Sequence, residues 1–301
     1  MLSDPRAGPG SLIIGLCPAM FARALKSLFS RPSTAAASFS AAFALYQEGR
    51  LEEALAHCDR IKDASNADVD YLRGLITERQ GDLKAAVRHF RAASTVRPEE
   101  ASFQYSLGQA ELGLGLISSG RLALDRFLAV APEDDARRVP ALVAWARTLS
   151  PTDPARESLL DRASIQAEAD PTAALQLADA SYADDDIVRA RRSLGWVRGD
   201  AQSAASVRRA MMLPAIYQSR QHIIETRETL ARDLAELMSA PLVPVAMPEH
   251  AIGVLPFYLA YHNASNADLM RHVGQVMRKA TGWHASPVQR KPQGRIRAGF
   301  V

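Results

Sequence analysis

The stretch GLITERQGDLKAAVRHFRAASTVRP, residues 74–98, decides the fold once it is set beside GQAELGLGLISSGRLALDRFLAVAP, residues 108–132. Gly74, Gly81, Leu83, Ala86, Phe90 and Pro98 recur as Gly108, Gly115, Ile117, Gly120, Leu124 and Pro132, each pair 34 residues apart. Six matches at one offset make a period, and a period of roughly 20–50 residues marks a repeat architecture. Upstream, Gly49, Leu51, Ala54 and Cys58 precede Gly81, Leu83, Ala86 and Phe90 by 32 residues, so an earlier copy exists with two residues missing from its last loop. Small residues let the paired helices of each unit approach closely, and Pro98 and Pro132 end the second helix because proline cannot continue the hydrogen-bond ladder. One hairpin cannot bury its apolar face alone, so stacking of successive hairpins makes the core.

This period and residue order resemble the tetratricopeptide repeat, which places a small residue near position 8, Gly near 15, Ala near 20, an aromatic near 24 and Pro near 32. The resemblance implies an all-α fold, a right-handed solenoid of helical hairpins, with three units over residues 35–134. It also implies that position 5 of each first helix faces a concave groove; here that position is Phe39, Tyr71 and Tyr105. Such an aromatic column would grip an extended peptide or a partner helix, since aromatic rings give large contact area at low entropic cost. The alternative is ordinary packing between repeats.

Composition agrees with this architecture. The 301 residues are 48% hydrophobic and 23% charged, ample for a buried core, while 6% aromatic content is thin for a β-sandwich. A net charge of +3 lacks the clustered basic excess of a nucleic-acid surface, so no nucleic-acid partner is expected. Cys17 and Cys58 form no CxxC pair and build neither a disulfide framework nor a thiolate zinc site. The expected compartment is therefore reducing and cytoplasmic. The longest apolar run, Ser11 to Phe21, contains Pro18 and falls short of the ~20 residues that span a bilayer, so no membrane partner is expected. Residues 1–34 read as a tail ending in a short basic amphipathic helix, with Met20 a candidate start beside Met1.

Beyond Asp134 the period fades, but residues 135–240 keep helical signals: a hairpin from Ala173–Tyr182 and Ile187–Val197, then a long helix from about Ala215 to Met238. That helix carries Ile216, Ile223, Leu230, Leu234 and Leu237 on one face. Pro241, Pro244 and Pro248 open a Pro-rich break and helical connector over 241–293. It includes the aromatic run from Leu255 to His262 and a helix from Ala267 to Ala280 with Ser265 or Asn266 as its cap. Residues 294–301 alternate apolar side chains like an opening β-strand, an incomplete strand at the C-terminus.

The segment Gly294 to Val301, preceded by Phe257 to His262, resembles the junction between repeats and catalytic half in bacterial O-GlcNAc transferase and SPINDLY-like glycosyltransferases; the stretch from Leu213 to Ser219 is similar to their connector. The resemblance implies that the repeats recruit a substrate protein and that a catalytic half beyond Val301 transfers a sugar from a UDP-sugar or GDP-sugar to a Ser or Thr hydroxyl. No cofactor is expected within these residues themselves. It also implies that His262 resembles the histidine beside the sugar-donor cleft, a candidate catalytic residue; the alternative is a histidine hydrogen-bonded at a domain junction. The asparagines that hold peptide backbone in the groove of O-GlcNAc transferases have no counterpart at Ser40, Leu72 and Ser106. A free-standing, non-catalytic scaffold for protein–protein interactions is the rival reading.

Four further signals are weighed against structural readings. Gly113, Gly115 and Gly120 mimic a dinucleotide fingerprint, but that motif needs a preceding strand, and the repeat register already accounts for them. Asp184, Asp185 and Asp186 contain a DxD spacing that some glycosyltransferases use for a metal-bound diphosphate, yet carboxylates are also favoured at a helix N-terminus. His222, His250, His262, His272 and His284 show no metal-ligand spacing, so no metal is expected. The run after Asp268, with Arg271, Arg278, Lys279, Arg290, Lys291, Arg295 and Arg297, reads either as a patch for acidic partners or as a solvated linker.

Overall fold

A computed structural model describes residues 34–61, 66–253 and 256–283. Among them every regular element is helical, and the chain divides into two compact units, residues 1–149 and 150–301. The amphipathic helix before Pro32 and the strand expected over 294–301 lie outside the described residues.

The first unit holds α1 (Thr34–Gln47), α2 (Leu51–Asp59), α3 (Ala67–Arg79), α4 (Leu83–Val96), α5 (Ala101–Gly113), α6 (Ile117–Val130) and α7 (Arg138–Arg147). The pairs α1/α2, α3/α4 and α5/α6 pack as successive hairpins, and α4 packs on α5 to join the last two. Close approach explains the small residues. A methyl built on Gly74 would lie 2.4 Å from the Phe90 ring, and methyls on Gly108 and Gly120 would meet Leu124 and Leu112 at 2.7 Å. Ala42, Ala54 and Ala86 hold the corresponding positions elsewhere and are fully buried. The turn inside each hairpin passes through Gly49 (φ 81°), Gly81 (φ 87°) or Gly115 (φ 75°), a left-handed conformation that costs a residue with a Cβ about 1–2 kcal/mol.

Arginines stitch the repeats through backbone carbonyls. Arg79 donates to the Tyr46 carbonyl at 2.9 Å, Arg73 to that of Cys58 at 2.9 Å, and Arg138 to those of Leu128 and Ala131 at 2.9 Å. Arg138 begins α7, so this helix extends the repeat unit past the sequence boundary at Asp134; Val139, Leu142 and Ala146 are its buried face.

The second unit holds α8 (Pro154–Ala169), α9 (Pro171–Ala183), α10 (Ile187–Leu194), α11 (Gln202–Met211), α12 (Arg220–Ser239), the single turn α13 (Pro248–Ala251) and α14 (Ala267–Thr281), with 3₁₀ turns at Gly199–Ala201 and Phe257–Tyr261. The α9/α10 hairpin reproduces the repeat register at an offset of 70 residues from α5/α6: Ala178 stands for Gly108, Ala190 for Gly120 and Leu194 for Leu124, all buried. Its turn has the same hydrogen bonds, Asp185 N–H to Tyr182 and Asp186 N–H to Ser181, as Gly115 to Leu112 and Leu116 to Glu111. The left-handed residue is Asp185 (φ 58°) in place of glycine, which is why the period fades in the sequence while the geometry persists.

The long helix begins later than the sequence pattern suggests. Residues 212–219 are non-helical, and Ser219 caps α12 by accepting the His222 N–H at 3.0 Å. Leu230, Leu234 and Leu237 are buried as expected, but Ile216 lies before the helix and is exposed. Helix α14 packs on α12, and Lys279 Nζ reaches the carbonyls of Leu237, Met238 and Ala240 at 3.2, 2.6 and 2.5 Å, closing the C-terminus of α12.

Candidate functional site

The face built by α1, α3 and α5 was expected to carry the binding aromatics. Phe39, Tyr71 and Tyr105 are 5%, 8% and 5% exposed, so the structure places their rings inside the stack. Phe39 joins the first core with Phe43, Leu72 and Ile76. Tyr71 lies between Phe90 at 5.6 Å and Phe103 at 4.7 Å, and its hydroxyl meets Ser106 Oγ at 3.1 Å. Tyr105 packs on Phe127 at 5.1 Å, and the Arg137 guanidinium covers both rings. Burial pushes the Tyr71 and Tyr105 phenols up to about 12, so both stay protonated at neutral pH. What these rings do here is join one repeat to the next.

The residues one and two helical turns further along the same helices remain partly accessible: Tyr46 on α1, Leu75 and Glu78 on α3, Gln109 and Leu112 on α5. Tyr46 and Glu78 are equivalent positions 32 residues apart, and Leu112 follows Glu78 by 34. The repeat register identifies this ladder from sequence; only the burial of the column beside it shows which of the two a ligand can reach. Burial raises the Glu78 carboxyl above the usual carboxylate range.

His262, the candidate catalytic residue, sits in the second unit at the end of the 3₁₀ turn and is 6% exposed. Tyr217 meets its ring edge-on at 4.6 Å, and among the described residues neither imidazole nitrogen has a hydrogen-bond partner. Burial, then the Arg227 charge, lowers its pKa, which keeps the ring neutral at physiological pH. The turn after it is made by Asn263 in a left-handed conformation (φ 48°). Asn266 precedes α14 but makes no capping bond from its side chain. Instead it donates to the Leu259 carbonyl at 2.9 Å and accepts from Arg227 at 2.6 Å.

The acidic triplet is fully engaged in structure. Asp186 caps α10 by accepting the Arg189 N–H at 3.0 Å, Asp185 accepts from Ala215 N–H at 2.9 Å, and Asp184 pairs with Arg156 at 3.5 Å. Gly113 closes α5 and Gly115 turns into α6, so a helix leads into the glycine-rich stretch. Among the described residues no three His, Cys, Asp or Glu side chains gather as a metal site.

Stacked antiparallel hairpins in this register, with packing aromatics inside and a ladder of accessible side chains on the first helices, define a helical-repeat scaffold. The family model for the tetratricopeptide repeat matches residues 19–69 and 71–136, so the chain carries these repeats in its first half. No curated protein matches the chain. Two solved structures are similar in fold: one from the functional characterisation of Pseudomonas aeruginosa PilF, at 16% identity and a TM-score of 0.44, covers 67% of this chain and 90% of its own. The other, PilW, a widely conserved type IV pilus biogenesis factor, shows 14% identity and a TM-score of 0.46 and covers 74% of this chain and 100% of its own. Neither likeness carries a functional argument at these values. No helix among the described residues is long and apolar enough to cross a membrane.

Proposed function

We propose that the chain is a protein-binding scaffold that holds a polypeptide against the face of α1, α3 and α5. The observation that supports it is the side-chain ladder Tyr46, Leu75, Glu78, Gln109 and Leu112, which stays partly accessible while the neighbouring aromatic column is used up in packing. Repeat stacks of this kind present such a surface without needing a catalytic group on it. Placing a photo-cross-linking residue at Gln47, exposed at the end of α1, and at Leu122, exposed on α6, tests the reading in the native cell. A discrete adduct is expected at Gln47 and not at Leu122; the reverse pattern overturns it.

The finer reading is that this scaffold recruits acceptors for a SPINDLY-like or O-GlcNAc transferase-like glycosyltransferase using a UDP-sugar or GDP-sugar, with His262 beside the donor cleft. Its support is the sequence of residues 257–262 and 294–301. Reading the coding DNA past Val301 tests it: strands followed by glycine-rich turns are expected, and their absence in all frames sets the free-standing scaffold in its place. A cytoplasmic location belongs with this reading, and fractionation of the native cell checks it.

A further inference from the structure

Four carboxylates on and around the first-helix face of the repeat unit are ion-paired. Asp68 pairs with Arg97, Asp70 with Arg73, Glu111 with Arg91 and Asp135 with Arg137. Glu78 takes part in no hydrogen bond or ion pair through its side chain among the described residues, although it is half-buried. The neighbouring Arg79 turns away, donating to the Tyr46 carbonyl at 2.9 Å and lying over the Tyr46 ring at 5.5 Å. Burial is what raises the Glu78 carboxyl, with no cation set against it. An uncompensated carboxylate in a partly desolvated place loses hydration without gaining a partner.

Its surroundings suit one kind of guest. Tyr71 and Glu78 are seven residues apart on α3, hence on one side of the helix about 10 Å apart. The accessible side chains on the same face, Tyr46, Leu75, Gln109 and Leu112, bring no cation to it. A half-buried carboxylate without a counter-charge accommodates an ammonium or guanidinium group through a charge-assisted ion pair.

We propose that Glu78, on the accessible ladder with Tyr46, Leu75, Gln109 and Leu112, receives a Lys or Arg side chain of a partner polypeptide lying along the first-helix face. The inference rests on the scaffold reading above and names the chemistry of the partner: an extended segment with at least one basic residue, whose cation supplies the missing counter-charge. Arg137 does not compete for Glu78, since Asp135 holds it at 2.6 Å. Opposite charge across the contact sets specificity and encounter rate as well as affinity.

The test uses the full chain and three fluorescein-labelled twelve-residue Ser/Ala peptides, carrying three Arg, three Glu or no charge, read by fluorescence anisotropy. The Arg peptide is expected to bind at least tenfold more tightly than the other two, to weaken as salt rises, and to lose about tenfold in Glu78→Gln. Glu52→Gln, an exposed carboxylate on α2, is expected to leave binding unchanged, and circular dichroism confirms that both variants remain helical. Equal binding of the Arg peptide by Glu78→Gln and the unsubstituted protein overturns the proposal. If the uncharged peptide then binds as well as the Arg peptide, the scaffold reading stands without it. If no peptide binds and the Gln47 cross-link is also missing, both fall.

Discussion

The close contact between Gly74 and Phe90 makes a sharp test of the stacking logic. A methyl added at Gly74 lands 2.4 Å from ring atoms Cδ1 and Cε1 and 3.1 Å from Cγ of a fully buried phenylalanine. Ordinary carbon contact needs about 3.5–4.0 Å, so the ring must retreat by more than an ångström. That ring is held by Tyr71 at 5.6 Å within a core that includes Phe103, Leu107 and Ala110. Overpacking of this kind costs about 1–3 kcal/mol, while replacing glycine by alanine within a helix returns roughly 0.8–1 kcal/mol. Gly74→Ala is therefore expected to destabilise the first unit by up to about 2 kcal/mol, a fall of as much as roughly 8 °C in melting temperature. Thermal unfolding followed by circular dichroism at the helical band reads it. Gly274→Ala on α14 is the control, because the added methyl meets only the end of Arg278 at 4.0 Å; here the propensity gain stands alone and stability rises by roughly 0.5–1 kcal/mol. In a Phe90→Val background, which removes the atoms the methyl would strike, Gly74→Ala should cost nothing. If Gly74→Ala and Gly274→Ala shift stability in the same direction, or if the cost persists with Val at position 90, the argument from close approach is refuted.

Cys58 should resist alkylation at pH 8 in the folded protein, since burial pushes its thiol up to about 12 against the lowering effect of Arg73, and react once the chain is unfolded; peptide mapping reads this. His262 should titrate below 6.5 by NMR. Because burial and then Arg227 lower its folded pKa, the unfolded chain binds the proton more readily: its contribution is complete above about pH 6.5 and is lost as pH falls from there towards the folded value. Asp185→Ala should cost about 1–2 kcal/mol, from the left-handed backbone it imposes on alanine and the lost acceptor for Ala215 N–H, measured by urea unfolding. Lys279→Met removes the donor shared by three carbonyls at the end of α12 and should speed hydrogen exchange over residues 237–240.

Residue spacing alone fixed the hairpin period, because the small positions at Gly74, Gly108 and Gly120 and the left-handed turns at Gly49, Gly81 and Gly115 are demands of local geometry that few residue types meet. The same spacing placed the acidic triplet at a helix start, where Asp186 caps α10. It left open whether Tyr71 and Tyr105 face a ligand or a neighbouring repeat. A helix periodicity names a face, but how far the next hairpin covers that face depends on how closely the stacked helices approach, and only the tertiary structure decides this. The fourth hairpin, α9/α10, was masked by Asp185 standing where glycine is usual, and its identity came from the turn hydrogen bonds. The unpaired state of Glu78 among the described residues was hidden for a related reason: ion-pair partners come from other helices, 29 residues away for Asp68 and Arg97 and 20 for Glu111 and Arg91, and a charge without a partner has no mark in the sequence. Period and turn are properties of neighbouring residues along the chain, while coverage and charge pairing belong to surfaces that meet only when the chain is folded.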